Sequence, residues 1–211
     1  MPPALVTFDI FGTIIDWQEG MRADLARLGI TLDSRLFEEV LADQERAEKA
    51  LVFQTYAEIV AWSLSRRLGV PPPEALAIGR HAGTWPLFAD ASDSLRALAA
   101  HVPCVALTNS DRIHGAQVQK QLGFELSGWL CAEDLRLYKP APAFWQQAAK
   151  ARGVALGKSW WHVSAYADYD LTPARNLGLT TVFLKRPHTR PGPADMTVDS
   201  LRQLLSIVLE S

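Results

Sequence analysis

The chain has 211 residues, of which 48% are hydrophobic and 21% charged, the balance of a soluble globular protein with room for one sizeable core domain and a smaller insertion. Its formal net charge of −2 comes with no basic stripe, which removes the electrostatic case for nucleic acid as a partner. No apolar run approaches the ~20 residues needed to cross a bilayer, so no membrane association is expected. The opening MPPALVTFDIFG has neither a basic region nor a long apolar run and reads as a first strand, not a leader.

That strand, Ala4–Phe8, ends abruptly at Asp9. From about Trp17 to Thr84 the pattern turns wholly helical, with Leu36, Phe37, Val40 and Leu41 on one face and Tyr56, Ile59, Val60 and Leu64 on another. Gly69-Val70-Pro71-Pro72-Pro73 punctuates this stretch, and Trp85-Pro86 marks its end. Asp90 is expected to cap a helix carrying Leu95, Leu98 and Ala99. Pro103–Leu107 is the second strand-like run, ending at Thr108-Asn109; Asp111 then opens a helix that stops at Gly123. Trp129–Cys131 is a weaker strand followed by an acidic turn, Ala132-Glu133-Asp134. Pro142 sits in the first turn of a helix with Phe144, Trp145, Ala148 and Ala149 on one face and Gly153 past its end. Trp160–Val163 and Thr181–Leu184 complete the strands, separated by a helix with Thr172 as N-cap, Pro173 behind it and Gly178 as terminator. A proline-rich loop, Thr189–Ala194, leads to a last helix over Val198–Leu209. Cys104 and Cys131, each within a strand-like run, read as buried thiols in a reducing cytoplasm.

Short apolar runs alternating with helices predict an α/β fold: a Rossmann-like parallel sheet over residues 1–16 and 86–211, with a helical cap over residues 17–85 inserted after the first strand. In such sheets ligands sit beyond the carboxyl ends of the strands. The polar residues directly after apolar runs are therefore the candidates: Asp9 with Thr13, Thr108-Asn109-Ser110, Lys139, and Asp168 with Asp170. A carboxylate such as Asp9 at a strand end can attack carbon or phosphorus, splitting one displacement into two steps; its bland reading is a turn cap before Gly12.

The segment Thr7-Phe8-Asp9-Ile10-Phe11-Gly12-Thr13 resembles the first motif of the haloacid dehalogenase superfamily. Leu107-Thr108-Asn109-Ser110, Tyr138-Lys139-Pro140, and His162-Val163-Ser164 running on to Asp170 resemble the second, third and fourth, in order and across nearly the whole chain. The resemblance implies a hydrolase with Asp9 as covalent nucleophile. The family's phosphatases carry a second aspartate two residues after the nucleophile, where this chain has Phe11. The 2-haloacid dehalogenases carry an aromatic residue there, since a departing halide needs no proton.

On this resemblance Lys139 keeps Asp9 ionised, Asp170 orients Lys139 or the hydrolytic water, and Asn109 belongs to the catalytic group. Phe11, Thr13, Thr108, Arg46 and Trp145 are expected to bind substrate, Trp145 standing where the dehalogenases have a tyrosine. Arg46 is the nearest match to the arginine with which those enzymes grip the halide, although it falls several positions away and a solvated helix face is its bland reading. Asp168 is extra relative to the family pattern and either replaces its water-positioning group or faces solvent. His114 and His162 read as structural.

The implied reaction is hydrolysis of a small (S)-2-haloacid to a 2-hydroxy acid, with no cofactor and no metal. A small-molecule acid is then the partner, and the mixed cap surface permits a homodimer. A Mg²⁺-dependent phosphatase or phosphonate hydrolase, and a non-catalytic binding module on the same fold, are the alternatives.

Overall fold

The structure, a computed structural model, describes residues 2–50 and 52–210. Met1 and Ser211, the ends of the expected core span, and Leu51 within the expected cap lie outside it. Six strands form one parallel sheet: β1 (Leu5–Phe8), β2 (Cys104–Thr108), β3 (Gly128–Cys131), β4 (Trp160–Ser164), β5 (Thr180–Leu184) and β6 (Met196–Val198), in the order β3-β2-β1-β4-β5-β6. β1, β2 and β4 are buried along their whole length, which is why they read as continuous apolar runs without alternation.

The chain starts at the centre of the sheet, builds outward through β2 to β3, and then crosses back to β4. That reversal beside β1 is where a crevice opens at the carboxyl ends of the strands. Register sets what lines it. Phe8 pairs with Ala106 on one side and Val163 on the other, so Asp9 leaves the sheet level with the ends of β2 and β4.

Between β1 and β2 come α1 (Trp17–Arg27), α2 (Ser34–Glu48), α3 (Tyr56–Leu68) and α4 (Pro72–His81), a single 3₁₀ turn at Ala82–Thr84, and α5 (Ala91–Ala99). The caps explain the boundaries. Asp33 accepts from Leu36 N at 2.8 Å to start α2, and Thr55 and Glu58 form a reciprocal capping box at α3. Gly69, in the left-handed region at φ 67°, ends α3. α2 is bound to α3 through buried Asp43, which accepts from Arg67 Nε at 2.5 Å and Nη2 at 2.9 Å.

The helical segment also docks on the sheet's own helices. α6 (Arg112–Leu122) begins at Asp111, whose carboxylate accepts from Tyr56 N at 2.8 Å and Ala57 N at 2.9 Å. One aspartate thus serves the exposed N–H groups of α3 while it heads α6. His114 reinforces the joint, with Nδ1 accepting from Asp111 N and Nε2 facing Gly79 O at 2.8 Å. Phe8, Ile10, Ile14 and Ile15 from β1 and its exit share one buried cluster with Trp17, Phe37, Tyr56 and Val60, each large side chain stabilising by about 1.5–3 kcal/mol.

Several local expectations need correction. Asp90 makes no capping bond to α5; its Oδ2 accepts from Leu201 N at 2.8 Å and its Oδ1 pairs with Arg186 at 2.9 Å, so it heads α10 (Leu201–Glu210) instead. Val198 closes β6 and does not open that helix. Ala132–Leu135 is a short helix, α7, and α8 (Pro142–Arg152) follows as expected. Thr172 is inside α9 (Thr172–Asn176), which continues directly from a π turn at Ala167–Leu171, so its hydroxyl bonds back to Ala167 O at 3.1 Å.

Candidate active site

At the carboxyl edge of the sheet is a cavity of about 130 Å³ lined by Asp9, Phe11, Thr108, Asn109 and Lys139 from the core side, with Trp17, Leu41, Gln44, Glu45, Glu48 and Tyr56 from the helical segment. Tyr166, Tyr169 and Arg190 complete the wall. Cavities of this order hold a molecule about the size of benzene.

The floor is a buried charge cluster. Lys139 Nζ donates to Asp9 Oδ1 at 3.0 Å and to Asp170 Oδ2 at 2.8 Å, with the lysine almost entirely enclosed. Asp170 Oδ1 lies 3.1 Å from His162 Nε2, and that ring is fixed on its other side by Thr7 Oγ1 at 2.8 Å. Burial alone would raise the Asp170 carboxyl, but Lys139 and His162 outweigh it and hold it at about 2. Burial raises Asp9 above the ordinary carboxylate range and nearby Asp170 adds to the rise, while Lys139 and Thr13 pull against it. Burial works against the Lys139 charge, yet the two carboxylates overcome it and push the ammonium up.

Asp9 is aimed by its neighbours. Its own N–H donates to Val163 O at 3.0 Å. Thr13 Oγ1 donates to Asp9 Oδ2 at 2.7 Å while accepting from Ala165 N at 3.0 Å. The turn between them needs Gly12, which holds φ +93° and where a Cβ would come within 2.0 Å of Tyr166 Oη. Tyr166 is itself anchored by Trp17 Nε1 at 2.8 Å. Gly12→Ala is therefore expected to cost about 2 kcal/mol or more and to lower activity with it, read from thermal melting and turnover.

The expected site residues fall into two sets. Asp9, Phe11, Thr108, Asn109 and Lys139 share the cavity, and Asp170 meets it through Lys139. Asn109 acts on the backbone of Lys139, accepting from its N–H at 2.7 Å and donating to its carbonyl at 3.0 Å. Thr108 Oγ1 donates to Ser110 Oγ at 3.2 Å. Phe11 packs its ring 5.3 Å from Tyr56, 5.8 Å from His114 and 6.1 Å from Trp85. Three residues expected to touch substrate do not line the cavity. Thr13 lies beneath Asp9. Trp145 is fully buried with its ring edge-on to His162 at 5.8 Å. Arg46 is 61% exposed and pairs with Asp43 at 2.9 Å.

Helix phase explains Arg46. Leu41, Gln44, Glu45 and Glu48 follow i, i+3, i+4, i+7 and share the cavity face, whereas residue 46 falls on a different face. The arginine that does line the cavity is Arg190, from the loop after β5, which pairs with Glu45 of α2 at 2.7 Å and with Asp168 at 2.9 Å. Asp168 thus holds Arg190 in place. Arg46→Ala should leave turnover within about twofold, while Arg190→Ala, which severs a tie between α2 and the core, should lower kcat/KM about tenfold; the two are compared by steady-state kinetics.

Sequence reasoning also missed Tyr169, Glu48 and the role of His162. Asn109 Nδ2 donates to Tyr169 Oη at 2.5 Å, and Tyr169 Oη also contacts the Lys139 carbonyl and Glu48 Oε2. Tyr169 falls between two aspartates, the one local signal that could have drawn attention to it. His162 is inside β4 with Nε2 3.1 Å from Asp170 Oδ1, so the histidine read as structural also positions a carboxylate of the site.

Lys139 Nζ lies between Asp9 and Asp170 with hydrogen bonds to both. Among the described residues no group of three or more His, Cys, Asp or Glu side chains is disposed to hold a metal ion.

Beside this buried strand-end aspartate and its lysine partner stands a match of the chain, over residues 3–164, to the family model of haloacid dehalogenase-like hydrolases. The chain belongs to the haloacid dehalogenase-like hydrolases. Among solved structures, this hydrolase is similar to a defluorinating L-2-haloacid dehalogenase at 22% identity, covering 98% of this chain and 95% of that one with a TM-score of 0.85. It is similar to a second L-2-haloacid dehalogenase at 23% identity, over 99% of this chain and 100% of that one, TM-score 0.83. The L-2-haloacid dehalogenase of Xanthobacter autotrophicus, 16% identical, covers 98% of each chain at a TM-score of 0.84. At these identities the likeness establishes the fold. A search of curated proteins finds no match. The free thiols Cys104 and Cys131 of this hydrolase are both buried, and no helix among the described residues is long and apolar enough to cross a membrane.

Proposed function

We propose that this hydrolase cleaves the carbon–halogen bond of a small 2-haloacid by displacement at carbon, through an ester on Asp9. Phe11 carries this reading. The side chain two residues after the nucleophile lines the cavity as an aromatic ring and can neither protonate a leaving alcohol nor activate water from that place.

In the first step Asp9 Oδ attacks the carbon bearing the halogen, the C–X bond breaks and the halide takes the electron pair. In the second, water attacks the ester carbonyl of Asp9, releasing the 2-hydroxy acid and restoring the carboxylate. Thr108 and backbone amides following β1 and β2 are the groups to hold the substrate's acid portion. Lys139 offsets negative charge at the nucleophile during both steps. Thr13, Asn109 and Asp170 act through Asp9 and Lys139 and are positioning residues. A solved L-2-haloacid dehalogenase of the same fold carries chloropropionic acid covalently bound, the kind of intermediate this reading requires here. A cytoplasmic location agrees with two unpaired buried thiols.

The test is halide release from a panel of 2-haloacids with and without EDTA. Release that survives chelation supports the reading. Absence of release from every haloacid, with Mg²⁺-dependent hydrolysis of phosphate esters, overturns it.

A further inference from the structure

Displacement at carbon produces a halide, and the site has to receive it. The displacement is in line, so the leaving atom departs on the side away from the attacking oxygen. Asp9 stands at the end of β1 in the core, and the departing atom therefore moves toward the helical wall of the cavity. Most polar groups of that wall are engaged elsewhere. Gln44 turns its amide to Ser63 at 3.1 Å, and Trp17 gives its indole N–H to Tyr166 at 2.8 Å. Glu45 and Glu48 accept there, from Arg190 and Tyr169. Tyr56 differs from all of these.

Tyr56 is only 6% exposed, and its position at the start of α3 is fixed. Its ring packs 5.3 Å from Phe11 and edge-on to His114 at 5.7 Å, and its backbone N–H donates to Asp111 at 2.8 Å. Its hydroxyl, however, has no hydrogen-bond partner among the described residues, where a buried phenol ordinarily finds one. Nor is this oxygen sealed in the interior as the indole nitrogens of Trp129 and Trp145 are; what is accessible of Tyr56 opens on the cavity it lines. Burial, and after it the Glu48 carboxylate, push the phenol's ionisation up, so the oxygen keeps its proton. Tyr166 stands elsewhere. Its Oη takes the Trp17 N–H and lies against Gly12 in the nucleophile's own turn, on the side of attack and not of departure.

We propose that Tyr56 is the halide-receiving residue of this site, a neutral donor whose O–H bonds to the leaving atom as charge builds on it. The proposal rests on the dehalogenase reading. As the Asp9 oxygen bonds to carbon, the C–X bond breaks and the halide keeps the electron pair. The phenol proton stays on Tyr56 and is shared with the halide as a hydrogen bond, so no proton changes owner. Such a bond is weak to a carbon-bound halogen and strong to a halide ion. It therefore lowers the barrier more than it tightens the substrate complex. A buried hydroxyl without a protein partner is unfavourable for the fold, and the reaction is where that hydroxyl finds its acceptor.

The test is Tyr56→Phe, which keeps the ring and removes one oxygen. The variant should melt at or above the wild-type temperature, since no hydrogen bond within the protein is lost. Its single-turnover halide release should fall about 30-fold for 2-chloropropionate and less than about threefold for 2-iodopropionate, the larger and more diffuse halide gaining less from a hydrogen bond. KM should move little, and added chloride should inhibit the variant more weakly than wild type. Unchanged release, equal losses for both halides, a change confined to KM, or a lowered melting temperature would each overturn the assignment of Tyr56. So would a chloride-to-iodide ratio that moves with Tyr166→Phe or Arg190→Ala and not with Tyr56→Phe. Release of neither halide by wild type would overturn it together with the dehalogenase reading.

Discussion

Asp9→Asn is expected to lower kcat by about 10⁴-fold or more while the protein stays folded. The amide has the same shape as the carboxylate and retains an oxygen for the 2.7 Å bond from Thr13, so the turn held by Gly12 is not disturbed. What disappears is the lone-pair donor that forms the bond to carbon. Lys139 keeps Asp170 as a partner at 2.8 Å, and the repulsion between two buried carboxylates is relieved. Halide release and a thermal melt on the same preparation separate the chemical loss from a folding loss. Residual turnover within tenfold of wild type would remove Asp9 as nucleophile.

Lys139→Met should be the most damaging single change to stability. Lys139 is almost wholly enclosed between two carboxylates, and its removal leaves both facing one another in a buried site. Breaking such a pair from one side costs about 3–5 kcal/mol, which for a chain of this size lowers Tm by roughly 6–20 °C. The loss should depend on pH. The Asp170 carboxyl is held at about 2 in the folded state, below its unfolded value of about 4. Its stabilisation is therefore present above about pH 4 and is lost as pH falls toward 2. The gap in Tm between wild type and Lys139→Met should be widest near neutrality and close as pH falls through that window. A gap that widens on acidification would contradict the charge assignment.

Much of the fold was legible because its central strands are buried on both faces and appear as uninterrupted apolar runs. Cys104–Thr108 and Trp160–Ser164 needed only their hydrophobicity to be found. β6 escaped because Met196–Val198 is three residues long and only partly buried, too short for any period to show. Asp90 was assigned to the wrong helix for a different reason. A capping residue is recognised by the residues just after it, yet the amide it serves is Leu201 N, far along the chain.

The site divides along the same line. Asp9, Thr108, Asn109 and Lys139 stand at strand ends or in a distinctive loop, so position alone drew attention to them. Arg190 was read as part of a proline-rich loop, and its pairing with Glu45 spans 145 positions, which no local pattern encodes. Glu48 could have been found. Counting helix phase from Leu41 puts residues 44, 45 and 48 on one face and leaves Arg46 off it. His162, inside a strand, looked like a core residue until β4 brought it against Asp170.

The most direct test of the account follows the oxygen atom. Turnover of a 2-haloacid in oxygen-18 water, followed by mass spectrometry of the peptide containing Asp9, distinguishes attack on an ester from attack on the substrate. The account predicts label in the Asp9 carboxylate after multiple turnovers, because water adds to the ester carbonyl. Label found in the hydroxy acid with none in the Asp9 peptide would contradict it, since water would then have displaced the halide directly.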